Sequence, residues 1–284
     1  MRTQRSPLPI RTTMHKISIY LLAFTVLTPL LVAQTPPDTG AKEFPPQARV
    51  IDDVLVPVPN EIFNTLDKFA HSNWRAVQRP ELAQWRPHGD QAEIALLLGA
   101  VIAEGFIAVE AEDAAETKNV GRAVLTLARG LGVEKAVLRR SRSIVEHAER
   151  GDWPAVRKEW NGMLPDVDQG MNELKSEQLA QLVSLGGWLR GTEALSVLVL
   201  QNYTREDAAL LRQPALIDYF EKQLAGKSGD MRTKPILVRM HEGLRKIRLL
   251  LASEDAQISQ KKVKEIDGVT EELLKGLGPK GRGG

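Results

Sequence analysis

From Ile94 to Val109 every position is apolar or glycine except Glu104, and between Leu179 and Leu200 the only ionisable residues are Arg190 and Glu193. Runs of that length, apolar on all sides, predict buried helices. The first opens at Asp90, with Glu93 three residues on in a capping-box pattern, and extends to about Glu112; the second spans about Ser176 to Tyr203. Around them the spacing turns amphipathic. Ile62, Phe63, Leu66, Phe69 and Ala70 predict a helix from Pro59 to about His71, and Val120, Val124, Leu127 and Leu131 predict one that stops at Gly130-Leu131-Gly132. A further helix runs from Val133 to Arg150 and closes at Gly151. The next is capped by Asp152 and broken or kinked by Pro165. Thr204 with Asp207 repeats the capping pattern before Pro214 interrupts, and two stripes finish the chain: Ile236, Met240, Leu244, Ile247, Leu251, then Val263, Ile266, Leu273, Leu277. No period-2 strand pattern appears between Pro59 and Leu277. The fold class is therefore all-α, a single globular domain of about eight to ten packed helices.

Similar words recur. Asn73-Trp74-Arg75-Ala76-Val77 parallels Asp152-Trp153-Pro154-Ala155-Val156, and Leu98-Gly99-Ala100 parallels Leu185-Gly186-Gly187, each ahead of or within a long apolar helix. This suggests two similar helical units packed on one another.

The N-terminus changes the picture from a plain domain to an exported one. Ile17 to Ala33 is uncharged, ends near Pro29 and follows the basic residues Arg2, Arg5, Arg11 and Lys16, which is a secretory signal pattern. Residues 1–33 are read as a signal peptide, with Met14 as an alternative start, residues 34–57 as a Pro-rich extended tether, 58–277 as the helical domain and 278–284 as a disordered tail. Val54 to Val58 has strand propensity, but its prolines favour a strap laid on the core. The expected location is periplasmic or extracellular; the alternative is a membrane anchor formed by residues 17–33, which at about 25 Å fall short of a bilayer core of about 30 Å.

Charge is nearly balanced, 38 Lys+Arg against 36 Asp+Glu, which does not indicate nucleic acid as a partner. The chain has no cysteine, so disulfides, thiolate metal sites and a lipidated N-terminal Cys are excluded. Its five histidines form neither HExxH nor Glu-x-x-His; no metal, cofactor or catalytic residue is assigned. His147 reads as a packed, hydrogen-bonded side chain, His71 and His88 as surface residues. The five tryptophans read as core anchors, with an aromatic glycan-binding surface as the other reading. Glu110, Glu112, Asp113 and Glu116, and the basic groups near Arg140 and Lys262, read as solvated faces.

That leaves the lone charges. Charges inside apolar helices are costly unless paired, so Glu104 and Arg190 are expected to meet across the two glycine-containing helices, with Glu193 one turn along. The structural reading is an ion pair locking close-packed helices. The functional one makes Glu104, Arg190, Glu193 and Trp188 ligand-binding residues of an acidic-ligand pocket. No motif carries a resemblance to a known family. The expected role is a non-enzymatic binding or protein-interaction module of the cell envelope, with an unidentified protein or small-molecule partner; the alternative is an enzyme or small-ligand receptor built on Glu104 and Arg190.

Overall fold

The computed structural model describes residues 49–51, 54–56, 67–69, 72–86, 90–252 and 257–279, all within one compact unit. The signal peptide, most of the tether, His71, His88 and residues 280–284 lie outside the described residues. Of the helix expected from Pro59 to His71, only Asp67–Phe69 is described, as a 3-10 turn.

The helices are α1 (Gln91–Glu110), α2 (Ala114–Gly130), α3 (Glu134–Glu149), α4 (Trp153–Asn161), α5 (Met163–Glu173), α6 (Glu177–Gln201), α7 (Arg205–Ala209), α8 (Pro214–Ala225), α9 (Asp230–Thr233), α10 (Pro235–Leu251) and α11 (Gln260–Lys275). Two further 3-10 turns, Trp74–Val77 and Pro80–Gln84, precede α1. Nine of the helices have nine residues or more, and their packing is the all-α domain expected from the pattern. The strap is more ordered than its prolines suggest: β1 (Arg49–Ile51) and β2 (Val54–Val56) pair antiparallel, Arg49 opposite Val56.

The boundaries follow local chemistry. Asp90 Oδ1 accepts from the N–H groups of Ala92 (2.8 Å) and Glu93 (3.3 Å), capping α1, and Asp113, Asp152, Thr204 and Ser259 cap α2, α4, α7 and α11 in the same way. Gly132 and Gly151 take the left-handed conformations that end α2 and α3 (φ 79° and 70°). The break expected at Pro165 comes three residues earlier. α4 ends at Asn161, and Pro165 sits in the first turn of α5, where a missing N–H costs nothing.

α1 and α6 are the centre. They run in the same direction: their starts, at Asp90 and Lys175–Leu179, border one groove, and their later halves meet at Glu104 and Arg190. The contact is backbone to backbone. A Cβ built on Gly99 would fall 1.8 Å from the Val183 carbonyl oxygen, and one on Gly186 would fall 1.9 Å from that of Leu96. Val183 and Gly186 stand 87 positions after Leu96 and Gly99, so the approach is reciprocal, as between two copies related by a two-fold axis. The tryptophan words do not share this likeness: Trp74 opens a 3-10 turn and Trp153 an α-helix.

The remaining helices wrap this pair. α2, α4 and the 3-10 turns cover α1, with α3 outside them. α11 lies on α6, and α10 joins α11 to α8. α1 is long and apolar enough to cross a membrane, but 94% of its apolar stretch is buried here. Its uniform hydrophobicity therefore reflects neighbours on all sides.

Candidate functional site

Glu104, the one charge in the apolar stretch of α1 from Ile94 to Val109, and Arg190 and Glu193, one turn apart on α6, are all fully buried. Arg190 Nε donates to Glu104 Oε2 at 2.8 Å, and Nη2 lies 2.7 Å from the same oxygen while donating to the Val77 carbonyl at 2.6 Å. Its Nη1 donates to Glu193 Oε2. Arg79 completes the set: its backbone N–H donates to Glu104 Oε1 and its Nη2 to Glu193 Oε1, both at 2.7 Å. Two carboxylates and two guanidinium groups thus balance in charge, and each carboxylate oxygen has a donor. Burial pushes the Glu104 carboxyl above its usual range, against the opposing pull of Arg190 and the Arg79 N–H.

Sequence reasoning brought Glu104, Arg190 and Glu193 together, and the structure joins them. It separates Trp188. That ring lies on another side of α6, donating from Nε1 to Gln213 Oε1 at 2.9 Å and tilting against Phe220 with centroids 5.6 Å apart. The guanidinium of Arg190 is engaged at all three nitrogens, so an incoming anion would have to displace a carboxylate or the Val77 carbonyl.

Arg79, unforeseen from sequence, is the member nearest solvent, its side chain 30% exposed. Partial burial works against its charge, but Glu193 outweighs this and holds the guanidinium above its ordinary range. Facing the same cluster from α11 is Asp267, whose Oδ1 is buried with no hydrogen-bond partner. Burial first, then Glu193 and Glu271, push its carboxyl up to about 6. A signal for Asp267 exists in the sequence: it stands between Ile266 and Thr270, inside the inward arc of α11. Arg79 offers none, because its N–H is aimed by the loop before Pro80 rather than by a periodic pattern.

Two surface expectations change. The Glu110 side chain is 5% exposed and pairs with Arg157 at 2.5 Å, and Glu116, in the first turn of α2, is buried, which pushes its carboxyl up. The acidic run crosses a helix end, so its members point in different directions rather than forming one solvated face. Arg140 is likewise no free cation, since it holds Asp166 at 2.6 Å and Glu159 at 2.9 Å and so ties α3 to α4 and α5. His147 is half-buried and 3.0 Å from Asp152, and Trp74 and Trp160 are buried anchors, Trp160 donating to the Ile102 carbonyl at 3.0 Å over Gly105.

Elsewhere a groove of about 920 Å³ opens where the two central helices begin. Asp90 and its partner Lys234 (2.6 Å) form one wall, and Lys175, Ser176, Glu177 and Gln178 the other. Beside it Lys227 is buried, its Nζ donating to Gln181 Oε1 at 2.5 Å and to the Gln178 carbonyl at 3.4 Å. Burial lowers this amine to about 8. Among the described residues no three His, Asp or Glu side chains converge as a metal ion would require.

No family model, curated protein or solved structure matches the chain.

Proposed function

We propose that this chain is an exported, non-enzymatic binding protein of the cell envelope, in which the ion network is framework and the groove at the starts of α1 and α6 is the recognition face. The observation that carries this reading is the contrast between the two polar regions. Arg190 has all three guanidinium nitrogens engaged within the network, whereas the groove is open and is lined by backbone and side-chain groups from α1, the α5–α6 turn and α9. A cleft of several hundred cubic ångströms with a few placed polar groups suits a small polar ligand or a polar segment of a partner protein. The signal pattern of residues 17–33 supports the location.

The test is a ligand screen on the processed chain by thermal shift, repeated on a Lys175→Glu, Gln178→Ala variant. A groove ligand at about 100 times its Kd should add about 2.7 kcal/mol to the wild type and little to the variant. Ligands that stabilise both equally, or that need Arg190 and Glu104 rather than the groove, would overturn the assignment in favour of a site at the ion network.

A further inference from the structure

α11 is the last helix among the described residues, and it packs on α6, which carries Arg190 and Glu193. Without Asp267 the cluster beneath it is neutral: Glu104 and Glu193 against Arg79 and Arg190. An ionised Asp267 adds one uncompensated negative charge, half-buried, with its Oδ1 turned away from water and lacking any donor. The other charged groups around it do not cancel this. On α11 itself Glu271 is a second carboxylate, bound to Lys275 at 2.8 Å. From α6 come Glu193 and Arg190, and from the loop before α1 comes Arg79, all already paired with one another. From α10, Arg239 lies beside Gly276, nine residues beyond Asp267 and so about 13 Å along the helix.

We propose that Asp267 is a proton-operated latch: protonation seats α11 over the buried ion network, and ionisation loosens it. The neutral acid removes the surplus charge, and its hydroxyl hydrogen can be donated to a neighbouring carboxylate. Ionisation restores both penalties, and they are relieved when α11 lifts and Asp267 reaches water. The burial described above, which places the seated carboxyl near 6 against an ordinary 3.8, agrees in direction. A group raised in the seated state favours seating below its ordinary value, and that advantage is lost as pH rises through about 6. This inference does not depend on the groove being a binding face.

The experiment is hydrogen exchange of the processed chain at pH 5 and pH 8, corrected for intrinsic exchange, following peptides from residues 260–275. The wild type should open α11 about tenfold more readily at pH 8 than at pH 5, the ratio that linkage gives for carboxyl values of about 6 seated and 3.8 lifted. Peptides of α2 and α3 should not shift. Asp267→Asn, which keeps the shape and removes the proton equilibrium, should abolish the difference, and α11 of Asp267→Asn at pH 8 should be at least as protected as wild type at pH 5. A wild-type α11 insensitive to pH, an Asp267→Asn chain with the same dependence, or a shift shared by all helices would each overturn the proposal.

Discussion

Replacing Arg190 by alanine takes away four contacts at once: two to Glu104, one to Glu193 and one to the Val77 carbonyl. Glu104 and Glu193 remain fully buried with only Arg79 to balance them, and Arg79 reaches Glu104 through a backbone N–H rather than a charge. Leaving a buried charge without its partner costs about 3–5 kcal/mol, and orphaning a buried carbonyl about 1–3 kcal/mol, part of which overlaps. A loss of about 4 kcal/mol is a large share of the roughly 5–15 kcal/mol that holds a domain together, and at about 2–4 °C per kcal/mol it lowers the Tm on the order of 10 °C. Urea unfolding followed by far-ultraviolet circular dichroism measures it directly. The pH dependence adds a signature. Burial already raises the Glu104 carboxyl, and removing Arg190 raises it further, so the folded variant favours the protonated acid. Its stability is then greatest at low pH and is lost as pH rises, and its deficit relative to wild type should shrink from pH 7 to pH 5. A loss below about 1 kcal/mol at pH 7, the scale of a solvated pair, would refute the view that these charges are sealed and interdependent.

Other substitutions test the packing and the buried amine. Gly186→Ala drives a methyl group into the Leu96 carbonyl and should cost about 3 kcal/mol in thermal unfolding, whereas Gly191→Ala, on the same helix with nothing within 4 Å, should be neutral or gain up to about 1 kcal/mol. Equal effects at the two positions would mean that α1 and α6 are not in backbone contact. Lys227→Met removes a buried ammonium at pH 7 and loses its bond to Gln181, for a net gain of about 1–2 kcal/mol by urea unfolding. Because the folded amine sits near 8 and the unfolded one near 10.5, wild-type stability should rise with pH across that window and the variant should lack this rise; an identical slope in both would place the amine in water.

The fold was legible where a residue's role is settled by its own helix. Asp90, Asp152 and Thr204 cap the helices they precede, Gly132 and Gly151 stop the helices they follow, and the stripe Ile236, Met240, Leu244, Ile247, Leu251 is buried throughout. Glu104 and Arg190 were legible for a different reason, since a lone charge in an apolar helix needs a partner and the other apolar helix supplied it. What escaped was set by distance along the chain. Arg79 joins a carboxylate 114 residues away, and Glu110 finds Arg157 only because α4 folds back across α1. No window of sequence contains both members of such a pair. Trp188 was grouped with Arg190 by proximity in sequence, but two residues along a helix point to nearly opposite sides.

The burial of α1 bears on the export proposed for this chain. If the chain is exported unfolded, as proposed, Gln91–Glu110 would pass through the channel before α2, α4 and α6 exist to cover it, as a stretch whose composition suits lipid. Glu104 near its middle opposes lateral release into the bilayer by about 3 kcal/mol, the cost of an acidic residue at the centre of an inserting helix. The carboxylate that anchors the folded core would, on that passage, keep a core helix from becoming a stop-transfer segment.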